Sequence, residues 1–245
     1  MRIPTLSCLL LISCFAGSAA LASDWHDAIR TNQLDMLRAL YPARAQIDEA
    51  NEHGKTALMA AAAAGDAALL EDLLAAGADP AASNNLGGTV LMYAVGGGNR
   101  TVVERLLATG IPLDGQASNG WSAVMMAAAK NQGELVNLLG AAGADPNTPD
   151  IYGWTPLMRA VYENHESATL ALLRLPGLDA GQLNRNDQNA LHLAVIAGHA
   201  DMVEILLDHG LEQIVDVNEH SPQSIARELE RSDLLDLLTE SEPTR

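Results

Sequence analysis

Seven histidines and 31 carboxylates are the groups in this 245-residue chain that could hold a metal or pass protons. The histidines His26, His53, His165, His192, His199, His209 and His220 stand at unrelated spacings. His199 and His209 flank one helical stretch, but their separation of nearly three turns rules out the one-turn pair a helical metal site needs. No Gly-x-Ser-x-Gly elbow or phosphate loop occurs. Gly96-Gly97-Gly98 falls where a helix passes into a turn, and weakens that helix end. Both cysteines, Cys8 and Cys14, lie in the first 22 residues, so the remainder has no thiol nucleophile, disulfide or cysteine zinc site. The reading is of a non-enzymatic chain with no catalytic residues, metal or cofactor.

Aromatic side chains are the other group with something to offer. Of seven Trp and Tyr residues, Trp121, Tyr152, Trp154 and Tyr162 crowd into 42 positions. The elements that must hold them are legible between Asp150 and Leu173, DIYGWTPLMRAVYENHESATLALL. Thr155 followed by Pro156 reads as an N-cap and first helical residue, because a hydroxyl accepts an orphan N–H and proline has none to lose. Leu157, Met158, Ala160 and Val161 then share one face. Asn164 reverses the chain, a second apolar helix runs to Leu173, and Pro176-Gly177 ends it. Helices this short cannot bury their own faces and need stacked neighbours.

The neighbours are present. Ala28, Ala61, Ala94, Ala127, Ala160, Ala194 and Ala226 recur at gaps of 32 to 34 residues. Thr56, Thr89, Ser122, Thr155 and Asn189 repeat the cap, and Gly54, Gly87, Gly120 and Gly153 the turn before it, with Asp187 as the exception. Asn32, Gly65, Gly98, Asn131, Asn164 and Gly198 repeat the turn between paired helices. With the motif written GKTALM, GGTVLM, GWSAVM, GWTPLM and DQNALH, the chain resembles the ankyrin-repeat family.

That resemblance implies an all-α solenoid of stacked helix-turn-helix units with short hairpin loops, about five full repeats between degenerate terminal caps. Units begin near 23, 51, 84, 117, 150, 184 and 216. The family's usual motif histidine, which ties helix to loop, is met only by His192; Met59, Met92, Met125 and Met158 stand elsewhere and substitute packing for that link. In the first unit Ser23 or Asp24 caps a helix on which Trp25 plugs the solenoid end. Leu34, Met36, Leu37 and Leu40 lie in its second helix, with Arg30, Asp35 and Arg38 toward water. In the last unit Ile225, Ala226, Leu229, Leu234, Leu235, Leu237 and Leu238 form the apolar face, and the tail from Thr239 has no pattern.

Residues 1–22 differ in kind: Arg2, an apolar run from Leu6 to Phe15, then Ala20-Leu21-Ala22 form a signal peptide cleaved after Ala22, leaving a repeat domain over 23–245. Leu11-Ile12-Ser13-Cys14 resembles a lipobox and gives the rival reading, a lipid-anchored envelope scaffold organising several components. An exported, cysteine-free ankyrin chain resembles bacterial periplasmic members, whose likeness implies a stress-protective enzyme such as catalase, or a toxin, as partner. The net charge of −17 argues against nucleic acid and favours a basic protein partner by steering; no membrane insertion follows leader removal, and a monomer is expected. Partners of the family contact hairpin tips and the concave face of the first helices. Carried onto this chain, that places binding at Trp121, Tyr152, Trp154, Tyr162, Lys55, His53 and Arg185, centred on repeats four and five. A structural alternative has the rings stiffening the stack, with Trp121 lying on Tyr152.

Overall fold

The computed structural model describes residues 17–43 and 46–240. Most of the expected leader, including Cys8 and Cys14, and residues 241–245 lie outside the described residues. Among the described residues the chain is a row of helix pairs. The opening pair is α1 (Gly17–Thr31) and α2 (Leu34–Leu40). The first helices of the following units are α3 (Ala57–Ala64), α5 (Val90–Gly97), α7 (Ala123–Ala129), α9 (Pro156–Tyr162), α11 (Ala190–Ala197) and α13 (Pro222–Glu228). The second helices are α4 (Ala67–Ala75), α6 (Arg100–Leu107), α8 (Gly133–Ala141), α10 (Glu166–Leu173), α12 (Ala200–Asp208) and α14 (Ser232–Glu240).

Each first helix starts because its cap works. The side chains of Thr56, Thr89, Ser122, Thr155, Asn189 and Ser221 all accept from the backbone N–H three residues on, satisfying a donor that the helix leaves orphaned. Each ends at a left-handed residue: Gly65, Gly98 and Gly198 with φ of 73–77°, Asn32, Asn131 and Asn164 with φ of 54–59°, and Glu230 in the closing unit with φ of 54°. The seven register alanines are fully buried. Their methyl groups let neighbouring first helices approach closely, and the larger Leu58, Leu69, Leu91, Leu106 and Leu139, equally buried, fill the space between the two helix rows. Each such leucine stabilises the stack by roughly 1.5–3 kcal/mol.

The hairpin tips are joined by a backbone ladder. Asn85, Ser118, Ile151, Arg185 and Val217 donate their N–H to the carbonyls of His53, Leu86, Asn119, Tyr152 and Asn186, at 2.7–3.3 Å. Within each tip, the side chains of Asn51, Asn84, Asp150, Asn184 and Asp216 accept from the N–H groups two and four residues on. Ala117 lacks that oxygen, and Asn119 takes the Trp121 N–H instead. Gly120 shows what the ladder demands: at φ +82° a Cβ there would lie 2.6 Å from the Ile151 nitrogen.

Four details at the ends differ from the sequence reading. The first helix does not begin at Ser23 or Asp24; α1 runs back to Gly17, since Ala19-Ala20-Leu21-Ala22 are good helix formers and nothing interrupts them. Leu229, expected on the apolar face of the last unit, is exposed at 49%, because among the described residues that unit packs against another on one side only. Arg38 does not simply face water but pairs with Asp66 of the next unit. Thr239 and Glu240 continue α14, with the Thr239 hydroxyl donating to the Leu235 carbonyl. Trp25 is fully buried, its indole N–H donating to the Glu49 carbonyl at 3.0 Å, as an end plug should be.

Candidate functional site on the first-helix face

The first helices α3, α5, α7, α9 and α11 contain no carboxylate between them, whereas α4, α6, α8, α10 and α12 carry eight. The five central first helices are thus left to uncharged and cationic side chains, while the acids stand on the second helices and in the tips and loops, Asp150 and Glu163 beside α9 among them.

On that face three of the expected binding residues, Trp121, Trp154 and Tyr162, are organised by one that the sequence reading passed over. Arg159, on α9, extends its guanidinium between two indoles, with its carbon 4.7 Å from the Trp154 ring centre and 5.5 Å from that of Trp121 in the preceding unit. Trp154 in turn meets Tyr162 edge-on, with centroids 5.1 Å apart at 77°. The Arg159 Nη2 donates to Asp150 Oδ2 at 3.3 Å, and Nη1 lies 3.6 Å from Glu163. Asp150 is buried and already holds the N–H groups of Tyr152 and Trp154, so one carboxylate fixes both the hairpin and the cation that aligns the rings. Trp121 therefore lies on Arg159 and not on Tyr152, a correction to the stacking alternative. The planar guanidinium outcompetes a ring because it binds two faces at once and pairs with Asp150 as well.

The remaining expected residues divide by location. Tyr152 is 64% exposed at the tip of unit five, and Arg185 follows on the next tip, joined to it through its backbone. His53 is exposed at the tip of unit two, with Glu52 3.6 Å from its Nε2. Lys55 is set back from that tip; its ammonium lies 5.6 Å from the Tyr93 ring centre and donates to Asn32 Oδ1 at 2.7 Å, and burial lowers its pKa. Trp121, Arg159, Trp154 and Tyr162 thus form one side-chain cluster, while Tyr152, Arg185, His53 and Lys55 share the face without joining it. Arg159 was detectable in principle. It occupies the register position held by Ala60, Tyr93, Met126 and Leu193, a charge where every other full repeat is uncharged.

Between units three and four the face opens into a hollow of about 340 Å³, bounded by Tyr93, Trp121, Met126 and Lys130. Tyr93 is fixed at its hydroxyl by the Asn84 amide at 2.9 Å.

His192 takes the linking role expected of it. It is fully buried, with Nδ1 at the Asn189 cap and Nε2 3.3 Å from the His220 carbonyl of the next hairpin. Burial holds its pKa below the usual imidazole value. Met158 occupies the equivalent place and receives only a long Thr155 N–H to sulfur contact of 3.5 Å. Among the described residues no three His, Cys, Asp or Glu side chains are grouped to hold a metal. No described helix is long and apolar enough to cross a membrane.

These features define a class: an all-helical repeat solenoid whose five central first helices carry aromatic rings and no carboxylate. The family described as ankyrin repeats, three copies to a unit of the description, matches residues 25–116, 58–150, 112–177 and 157–244. The chain belongs to the ankyrin-repeat family, whose repeats bind protein partners. No curated protein matches the chain.

Proposed function

We propose that the chain is a non-enzymatic docking module, exported to the periplasm and freed of its leader after Ala22. It takes hold of a single protein partner, a stress-protective enzyme or a toxin, through the hairpin tips and first-helix face of units four and five. The observation that carries this reading is the Trp121–Arg159–Trp154–Tyr162 cluster beside the exposed Tyr152. Aromatic side chains whose positions are fixed beforehand lose little freedom on binding, and Trp, Tyr and Arg dominate interface energetics. The acid-rich second-helix row steers a basic partner at long range.

The test is affinity capture from the native host with the parent chain and with Tyr152→Ala/Tyr162→Ala. Tyr152 is 64% and Tyr162 41% exposed and neither lies in the core, so the fold should survive, and the captured partner should fall by an order of magnitude or more. Undiminished capture by the double variant removes this face from the account. Mass spectrometry of the chain recovered from the envelope should find Ser23 at its N-terminus. A diacylated Cys14 there would replace the free periplasmic module with a lipid-anchored scaffold.

A further inference from the structure

We propose that the hollow between units three and four is the anchor pocket for an acidic, aromatic-bearing segment of the protein partner. One Phe-like side chain enters between Tyr93, Trp121 and Met126, and its flanking carboxylates meet Lys55 and Lys130. This inference deepens the docking reading above and rests on it.

The hollow exists because unit three lacks two side chains that the other units supply. Gly88 stands where they carry Lys55, Trp121, Trp154 and Gln188, and Gly96 where they carry Ala63, Ala129, Tyr162 and Ile196. The fold does not require glycine at 96. Its φ is not left-handed, and a Cβ there would meet only the Met126 sulfur, at 3.4 Å. The adjacent Gly97 is different, since a Cβ there would lie 2.4 Å from the Ala63 carbonyl oxygen and would force α5 away from α3. Gly97 serves packing, while Gly96 serves to keep space open.

The charges point to the occupant. The chain contains two lysines: Lys130 lines this hollow, and Lys55, which does not, holds its ammonium 5.6 Å from the centre of the Tyr93 ring that forms one wall. Among the described residues Arg30, Arg38, Arg100, Arg105, Arg159 and Arg231 have carboxylate partners within 4 Å, whereas Arg174, Arg185 and Arg227 do not. Neither lysine has one among the described residues, in a chain whose acids outnumber its bases 31 to 14. The first helices around the hollow contribute no carboxylate. An apolar hollow walled by aromatic rings, with the Lys130 ammonium on its wall and the Lys55 ammonium over the Tyr93 ring, neither paired with a carboxylate among the described residues, selects an apolar side chain with anionic neighbours. The long-range field set by the outer acids and this local preference operate at different distances, so a basic partner can still present an acidic docking segment. At about 340 Å³ the space exceeds ten water volumes of about 30 Å³, enough for one ring with its neighbouring backbone.

The probe is the peptide acetyl-Gly-Glu-Phe-Glu-Gly-amide, titrated into the ¹⁵N-labelled full chain alongside its Lys-for-Glu and Ala-for-Phe counterparts. The acidic Phe peptide should shift the amides of Gly88 and Gly96 and the Trp121 indole, and should bind about tenfold tighter than the Ala peptide. Lys130→Glu should weaken the acidic peptide about threefold and strengthen the basic one. Gly96→Leu should abolish the shifts by filling the hollow. Lys55→Gln/Lys130→Gln keeps the test alive should Gly96→Leu fail to fold. Equal binding of the Phe and Ala peptides, equal or tighter binding of the Lys peptide, or no shifts up to about 10 mM overturns the pocket. Shifts that appear on concentrating the chain alone would assign the hollow to a second copy and equally overturn it. Failed peptide binding with capture still sensitive to Tyr152→Ala/Tyr162→Ala removes the pocket and leaves the docking face. Peptide binding with insensitive capture removes the docking face.

Discussion

Replacing Arg159 with methionine, the residue at the equivalent position 126, tests whether the cation organises the aromatic face or is merely accommodated by it. Each guanidinium–ring contact is worth about 0.5–1 kcal/mol when exposed and about 2 when desolvated. The Arg159 side chain is 21% exposed, and the contacts are 4.7 and 5.5 Å, so the pair contributes about 2 kcal/mol. The hydrogen-bonded pair with Asp150 adds about 1 kcal/mol; Asp150 keeps two backbone donors in the variant and is not left orphaned. Against this, the Arg159 Nε is buried with no acceptor, and removing it recovers about 1 kcal/mol. Methionine restores much of the apolar contact, so the expected net loss is about 2 kcal/mol, roughly thirtyfold in the folding equilibrium. Urea unfolding followed by circular dichroism measures it, with midpoint and slope read together because repeat arrays can lose cooperativity. Tryptophan emission should move to longer wavelength as both indoles gain solvent. Arg159→Lys keeps the charge but not the plane and should recover no more than half the loss. Parent-like stability and unshifted emission in Arg159→Met would refute the idea that the guanidinium holds the rings.

Other consequences can be checked on the same footing. Gly120→Ala should cost more than about 2 kcal/mol, since it adds a clash with the Ile151 backbone to left-handed strain; Gly143→Ala, at φ +94° but with nothing within 4 Å of a Cβ, should cost only about 1 kcal/mol, and comparing urea midpoints separates strain from crowding. Ser122→Ala removes a cap acceptor in the middle of the stack and should lower stability by about 1 kcal/mol on the same scale. The lowered pKa of His192 means that it takes up a proton more readily unfolded than folded. Stability should therefore fall as pH drops below the usual imidazole value of about 6.5. His192→Met should flatten the melting temperature between about pH 7 and 5. Asp216 also has a lowered pKa: burial raises it, but the N–H groups of His220 and Asn218 and the Gln188 amide outweigh that. Its contribution is present above the usual carboxylate value and lost only as pH falls below it, outside the histidine window.

The repeat was legible because each of its parts answers a backbone demand that only a few residue types can meet. A hydroxyl or amide at 56, 89, 122, 155 and 189 and a glycine or asparagine at 65, 98, 131, 164 and 198 are local requirements, readable without knowledge of neighbours. The last unit was less legible, because burial at Leu229 depends on what packs beside that unit, and a local pattern does not carry that information. On the binding face, sequence register identified which rings lie on the first-helix side but not how they are arranged. Arg159 was read only as part of a helix motif, although an uncharged residue stands at that position in every other full repeat. The hollow in unit three was hidden for a related reason: glycines attract attention where they permit a turn, and Gly96 matters for the side chain it withholds.

The account depends most directly on which face of the solenoid meets the partner. A photo-crosslinking residue placed at 152 or 162 on the first-helix face, and at 71 or 134 on the second-helix row, reads this in intact cells. The account predicts one common adduct from positions 152 and 162 and none from 71 or 134. That adduct arising from 71 or 134, with 152 and 162 silent, would contradict it.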